Sequence, residues 1–206
     1  MTVTAAALWL NTVFADFDAG VTLFIHRLHE IGGGFFTPFF EFVSLLGKGG
    51  IFLIVLGLVL LLSKRTRRCG TAILLGIAIG ALITNCCLKI LIARPRPYSD
   101  ENSLFYQLWL LVEQNVESDK SFPSGHTTAA MAASTAVFFS CNKRYSWLAF
   151  LFAAVMGIAR IYLVVHFPSD VVGGFIVGFI GGALGALIMN ALPDKWYSLD
   201  IIKERE

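Results

Sequence analysis

Pro123-Ser124-Gly125-His126 opens, and Arg160-Ile161-Tyr162-Leu163-Val164-Val165-His166-Phe167-Pro168-Ser169-Asp170 closes, a stretch that is otherwise almost wholly apolar. Two histidines, an arginine and an aspartate thus stand at the ends of hydrophobic segments of membrane length. A charged side chain at mid-depth in a bilayer costs about 2.5–3.5 kcal/mol even on the gentler insertion scales. Residues kept there face a water-filled or catalytic cavity. The rest of the chain is then a scaffold that brings a third cluster, residues 89–97, to the same place.

Composition agrees. Of 206 residues, 56% are hydrophobic and only 15% charged, whereas a soluble domain carries about 25% charged residues. This excludes an ordinary soluble domain. It predicts an all-α, polytopic membrane bundle of five to six transmembrane helices plus an N-terminal interfacial helix, folded as one domain. Residues 1–48 are the interfacial or short membrane segment, 49–192 the helical core and 193–206 a cytoplasmic tail. The formal net charge of +2 implies little, and no nucleic-acid partner is expected. Cys69, Cys86, Cys87 and Cys141 lie in or beside apolar runs with no zinc-like or disulfide-like spacing, so they read as small packing residues. The first residues lack the basic start and small-residue cleavage site of a signal peptide.

In residues 14–30, Phe17, Val21, Phe24, Ile25 and Leu28 recur at helical spacing among Asp16, Asp18, His26, Arg27, His29 and Glu30. That pattern predicts an amphipathic helix lying on the membrane surface, with His26 and His29 as solvated residues at its end. Gly32-Gly33-Gly34 stops it. Residues 35–46 are aromatic and apolar but contain Pro38 and Glu41. They are too short to span alone, since spanning takes about 20 residues, and fit either a tilted span or an interfacial segment. Further spans follow at 50–63 (starting somewhat earlier), 70–93, 125–141, 147–165 and 171–192. Glycines 173, 174, 178, 181, 182 and 185 leave a smooth stripe on the last of these for close helix packing.

The loops set an orientation. Lys64-Arg65-Thr66-Arg67-Arg68, Asn142-Lys143-Arg144 and the late cations Lys195, Lys203 and Arg205 all fall on one side by span counting. The positive-inside rule makes that side cytoplasmic. The three polar clusters then face the other side, near the membrane surface.

In the first cluster, Pro95 and Pro97 end a helix near Ala93, with Lys89 one turn inside and Arg94 and Arg96 on the rigid exit. In the second, Ser124 is a helix cap and Gly125 lets a ligand approach, so the free N–H groups of the first turn form a phosphate cradle beside His126. In the third, Asp170 lies four residues after His166 and Pro168 fits the first turn of the last helix. A carboxylate there fixes one imidazole nitrogen and frees the other as nucleophile or base. Arg160, inside an apolar span, needs an anionic partner, for which Asp170 alone would serve. Cations, a helix N-terminus, two histidines and one orienting carboxylate together suit a phosphoryl group.

Lys89, six residues, Arg96-Pro97; then Pro123-Ser124-Gly125-His126; then Arg160, five residues, His166, three residues, Asp170: this pattern resembles the type 2 phosphatidic acid phosphatase (PAP2) superfamily over about residues 69–192. The resemblance implies that Lys89, Arg96 and Arg160 bind phosphate, with Ser124 and Gly125 adding a hydroxyl and a backbone N–H. It implies that His166 attacks phosphorus to give a phosphohistidine while Asp170 holds its ring, and that His126 protonates the leaving group and then activates water. It implies no metal or other cofactor. Ala159 departs from the serine usual before the third-cluster arginine, and Arg94 falls outside the strict pattern. The implied substrate is a lipid phosphate or diphosphate, best undecaprenyl diphosphate, otherwise phosphatidylglycerophosphate or phosphatidic acid. A phosphotransferase using the same site is the rival. The implied location is a bacterial plasma membrane with the site extracytoplasmic. Residues 98–122 read as a substrate rim or plain connector, and oligomeric state is left open.

Overall fold

The computed structural model describes residues 3–112 and 114–198. Lys203 and Arg205, two of the cations used for orientation, lie outside the described residues. Among the described residues the secondary structure is entirely helical.

Two helices, α1 (Ala5–Val13) and α2 (Ala15–Gly32), meet at a 61° bend. Thr4 caps α1 by accepting from the Ala7 amide at 3.1 Å. Gly33, left-handed at φ 53°, ends α2, as the triple glycine predicts. The faces of α2 are sorted opposite to those of a soluble surface helix. Asp18, Thr22 and His26 point into the protein, while Phe24 and Ile31 are 69% and 83% exposed. Asp18 meets Ser169 and His29 meets Tyr162, partners at one end of the bundle. The eleven-residue step from Asp18 to His29 covers about 16 Å of helix, so α2 runs across that end rather than through the core. Contrary to expectation, His26 is therefore buried and His29 half-buried. His26 is 2% exposed and stacks on His29 at 5.2 Å, because α2 turns its polar face to the bundle and its apolar face outward.

The segment left open by sequence, 35–46, is the upper half of a span. α3 (Thr37–Gly47) and α4 (Ile51–Leu61) form one apolar run of 25 residues. It is broken by a short 3₁₀ turn in which Gly49 and Gly50 adopt φ 60° and 67°, a region glycine enters without steric cost. α5 (Arg67–Ala81) continues through a π-helical turn at Leu82–Leu88 into α6 (Lys89–Ile92). Such turns are frequent at functional sites, and this one sets the face on which Lys89 emerges. The helix stops at Ala93, left-handed at φ 50°, just before Pro95. A short α7 (Leu104–Trp109) sits in the following loop, capped by Ser103.

α8 (Gly125–Ser140), the short α9 (Lys143–Ser146), α10 (Ala149–Tyr162) and α11 (Pro168–Ala191) complete the bundle, and α12 (Asp194–Ser198) follows. Among the described residues, four helical runs have the length and hydropathy to cross a membrane: Thr37–Leu61, Arg67–Ser99, Lys143–Tyr162 and Pro168–Ala191. The shorter α8 is packed among them, and the chain is an integral membrane protein. α5, α8 and α11 are the central trio. The glycine stripe is what lets them close. A Cβ at Gly178 would stand 2.5 Å from the Thr128 carbonyl oxygen on α8, and one at Gly185 2.5 Å from the Gly76 amide on α5. The basic loops share one end, where buried Arg67 donates to the Leu61 and Tyr197 carbonyls (2.9 and 3.1 Å) and Arg68 pairs with Asp194. The three polar clusters share the other.

Candidate active site

The three clusters converge on one cavity of about 310 Å³. Its walls include Lys89, Arg96, Gly125, His126 and His166. Each arrives from a different element. Lys89 begins α6 and Arg96 follows the proline exit. Gly125 and His126 open α8. His166 lies on the turn between α10 and α11.

His166 is fully buried, and Arg96 Nη1 lies closer to its Nε2 than to its Nδ1, which is 3.5 Å away. The distance to Nε2 is 2.9 Å. A guanidinium carries only donors, so Nε2 is the acceptor and a neutral ring holds its proton on Nδ1. That nitrogen faces Asp170 Oδ2 at 3.6 Å and Ser121 Oγ at 3.5 Å. Asp170 is itself fixed: its Oδ2 accepts from Ser121 Oγ at 2.5 Å and from the Phe167 amide at 2.9 Å, the latter closing the first turn of α11. Burial first, then the positive charges of Arg96, Arg160 and Lys89, hold the His166 imidazole well below its ordinary value. The ring is thus neutral, with a lone pair on Nε2, across the neutral pH range.

The cations are paired with a loop that no motif marked. Asp119 takes Lys89 Nζ on one carboxylate oxygen and Arg96 Nη2 on the other, and its carbonyl accepts from Arg96 Nε at 3.0 Å. Burial pushes the Asp119 carboxyl up, but Lys89 and Arg96 together bring it below its usual value. Arg160 pairs with Glu117 and donates to Ser44 Oγ. Its anionic partner is therefore Glu117, not Asp170. Glu117, Ser118 and Asp119 also line the cavity.

Not every expected ligand lies at the wall. Ser124 is fully buried; its hydroxyl caps α8 by accepting from the Thr127 amide at 3.5 Å and also accepts from Thr127 Oγ1 at 3.0 Å. Its role here is to orient that helix N-terminus. Gly125 lies at the cavity wall where α8 begins, with Lys89 Nζ 3.8 Å from where its Cβ would be. Ala159 is buried, and no hydroxyl enters from that position. Arg94 is the largest departure. It is 1% exposed and donates to Asn11 Oδ1, Ser169 Oγ, Asp170 Oδ1 and Asp18 Oδ2 at 2.7–2.8 Å. The sequence placed Arg94 on the proline exit beside Arg96 but outside the strict pattern, and its anions are Asp18 and Asp170. Asp18, Glu117, Asp119 and Ser121 were missed by sequence and carried no signal there. Among the described residues, no three His, Cys, Asp or Glu side chains come together as a metal site needs.

Residues 70–194, which hold all three clusters, match the family model of the PAP2 superfamily. The chain belongs to that superfamily. Curated PAP2 relatives include the undecaprenyl-diphosphatase BcrC of Bacillus subtilis, 33% identical over 52% of this chain and 51% of that protein, about half its length. The lipid A 4'-phosphatase of Bacteroides thetaiotaomicron is 29% identical over 89% of this chain and 82% of that protein. A solved transmembrane PAP2 type phosphatidylglycerolphosphate phosphatase from Bacillus subtilis covers 92% of this chain and 98% of its own at a TM-score of 0.60, with 24% identity, and so shares the fold. The chain is an integral membrane member of this phosphatase superfamily.

Proposed function

We propose that this protein hydrolyses a lipid-linked phosphate or diphosphate through a phosphohistidine on His166, at the extracytoplasmic surface of its membrane. The carrying observation is that Nε2 of a neutral, buried His166 and the ring of His126 line the same cavity as Lys89 and Arg96. Lys89, Arg96 and the N–H groups at the start of α8 take the equatorial phosphoryl oxygens. Arg160 joins them once phosphate displaces Glu117. Nε2 attacks phosphorus; the bond from phosphorus to the leaving oxygen breaks, and His126 gives that oxygen its proton. His126 then takes a proton from water, whose oxygen attacks phosphorus and frees the His166 nitrogen. Asp170 and Ser121 hold Nδ1–H throughout and stabilise the charge that develops on the ring. No step calls on a metal.

The side assignment rests on charge. The cavity lies at the end opposite Lys64–Arg68 and Lys143–Arg144, and basic loops stay cytoplasmic. Undecaprenyl diphosphate is the favoured substrate. It is the substrate named for BcrC, and a cavity at the membrane surface lets a headgroup enter while the chain stays in lipid. Phosphate release by purified protein in detergent with chelator present, from undecaprenyl diphosphate, phosphatidylglycerophosphate and phosphatidic acid, tests both levels. Fastest release from undecaprenyl diphosphate supports the named substrate; fastest release from a glycerophospholipid replaces it. His166→Ala is expected to abolish release and the acid-labile phosphoenzyme, and retained turnover would sink the mechanism.

A further inference from the structure

We infer that Arg94, shared between Asp18 and Asp170, is a positioning residue that sets both the aim and the charge of the carboxylate behind His166. The inference rests on the reading of His166 as nucleophile. Arg94 Nη1 binds Asp170 Oδ1 at 2.7 Å, and Nη2 binds Asp18 Oδ2 at 2.8 Å. Asp18 in turn accepts from the Ser169 amide and hydroxyl, both at 2.8 Å. The guanidinium carbon also lies over the Phe167 ring, 3.9 Å from its centroid. Residues 167, 169 and 170, the first turn of α11, are therefore clamped by one arginine and one aspartate from the N-terminal helices and the proline exit.

The geometry divides Asp170 in two. Oδ1 belongs to Arg94. Oδ2 belongs to Ser121, the Phe167 amide and the His166 side of the site. Two carboxylates share one guanidinium, and all three groups are at most 2% exposed. Arg94 thus cannot fully neutralise Asp170, whose remaining negative charge is directed at Nδ1–H. Asp18 acts on the chemistry through this division, although it never touches the cavity that holds His166. A lysine in place of Arg94 is a point charge and could not reach four acceptors in fixed directions.

Two substitutions change this charge in opposite senses. Asp18→Asn keeps the shape but leaves Arg94 wholly to Asp170, so the ring loses negative charge behind it. Arg94→Met leaves Asp170 uncompensated, so the ring gains it. The other groups acting on His166, namely Lys89, Arg96, Ser121, Arg160, His126 and Asp119, are the same in both variants. Each variant is expected to lower kcat about 10- to 100-fold, the usual loss when the partners orienting a working histidine are removed. KM should stay within about threefold, because neither side chain meets substrate. The acid limb of kcat/KM should move to lower pH in Asp18→Asn and to higher pH in Arg94→Met.

The test measures phosphate release from the fastest lipid of the panel above, on full-length protein whose elution and thermal transition match the unchanged chain. Opposite limb shifts with a loss confined to kcat support the inference. Unchanged kcat, or lost activity with both limbs unmoved, overturns it in favour of mere packing. Should Arg94→Met not fold, the nearly isosteric Asp18→Asn decides by the same criterion. Turnover by His166→Ala, by contrast, would remove the mechanism itself rather than this assignment.

Discussion

Asp119 bridges Lys89 and Arg96, one carboxylate oxygen on each cation, and Glu117 two residues earlier closes on Arg160. Two loop carboxylates thus stand where phosphoryl oxygens would. Any phosphate entering the cavity must displace them, and the loop competes with substrate. In Asp119→Asn, KM and the inhibition constant for inorganic phosphate should each fall about two- to fivefold, the worth of a half-exposed ion pair. Adding Glu117→Gln should lower both again. Steady-state kinetics with added phosphate checks this; a raised KM would instead make the loop part of the substrate site.

The same cations govern pH dependence. Burial and the charges of Arg96, Arg160 and Lys89 depress the His166 value, so its neutral form persists to acid pH. The free-enzyme profile of kcat/KM should therefore show its nucleophile limb clearly below pH 6.5. Stability carries the matching sign. The unfolded chain binds a proton at His166 near 6.5 and the folded chain does not, so this group's contribution falls as pH drops below 6.5 toward the depressed value. Profiles on a substrate whose phosphate does not titrate in that window check it. A limb at or above 6.5 would contradict the placement of Arg96 on Nε2.

What could be read from sequence follows from which residues are anomalous where they stand. Lys89, Arg96, Arg160, His126, His166 and Asp170 are polar groups at the ends of apolar helices, so each demanded a partner and a cavity. Pro95, Ser124, Pro168 and Gly33 punctuate helices by local rules, and the structure ends and caps its helices there. Glu117, Asp119 and Ser121 sit in a polar loop, where such residues are ordinary, and only the fold carries them to the cations. His26 and His29 misled for a physical reason. An amphipathic helix laid across a membrane bundle can turn polar side chains inward, so His26, which looks solvated, is buried and His29 is half-buried.

Two glycines should respond in opposite directions to alanine. At Gly178 a methyl would meet the Thr128 carbonyl oxygen at 2.5 Å and Met131 Cβ at 2.7 Å, with α8 backbone unable to yield cheaply. Gly178→Ala should cost about 1–3 kcal/mol and lower the thermal transition in detergent. At Gly20, inside α2, nothing lies within 4 Å of the added methyl. Gly20→Ala should stabilise by about 0.5–1 kcal/mol through helix propensity alone. Equal effects at the two sites would mean that the glycine stripe does not carry the α8–α11 contact.

Gly47 separates catalysis from stability. A Cβ there would lie 2.6 Å from His126 Cδ2 and 2.8 Å from Met156 Sδ. Both are side-chain atoms, so the fold can adjust by turning them, and the helix backbone of α3 has no need to move. His126, however, must then leave the direction in which it faces the cavity. Gly47→Ala should keep a near-normal thermal transition while turnover falls about 10²-fold, the penalty for misplacing a reacting group by about 1 Å. Gly57→Ala is the matched control on the same span. Its methyl meets the Leu74 side chain at 2.9 Å, away from the cavity, and activity should be retained. On the proposed role of His126 at both the leaving oxygen and the attacking water, Gly47→Ala should slow formation and breakdown of the phosphoenzyme together. Rapid-quench measurement of the two rates tests this, and loss of only one would assign His126 to that half-reaction alone.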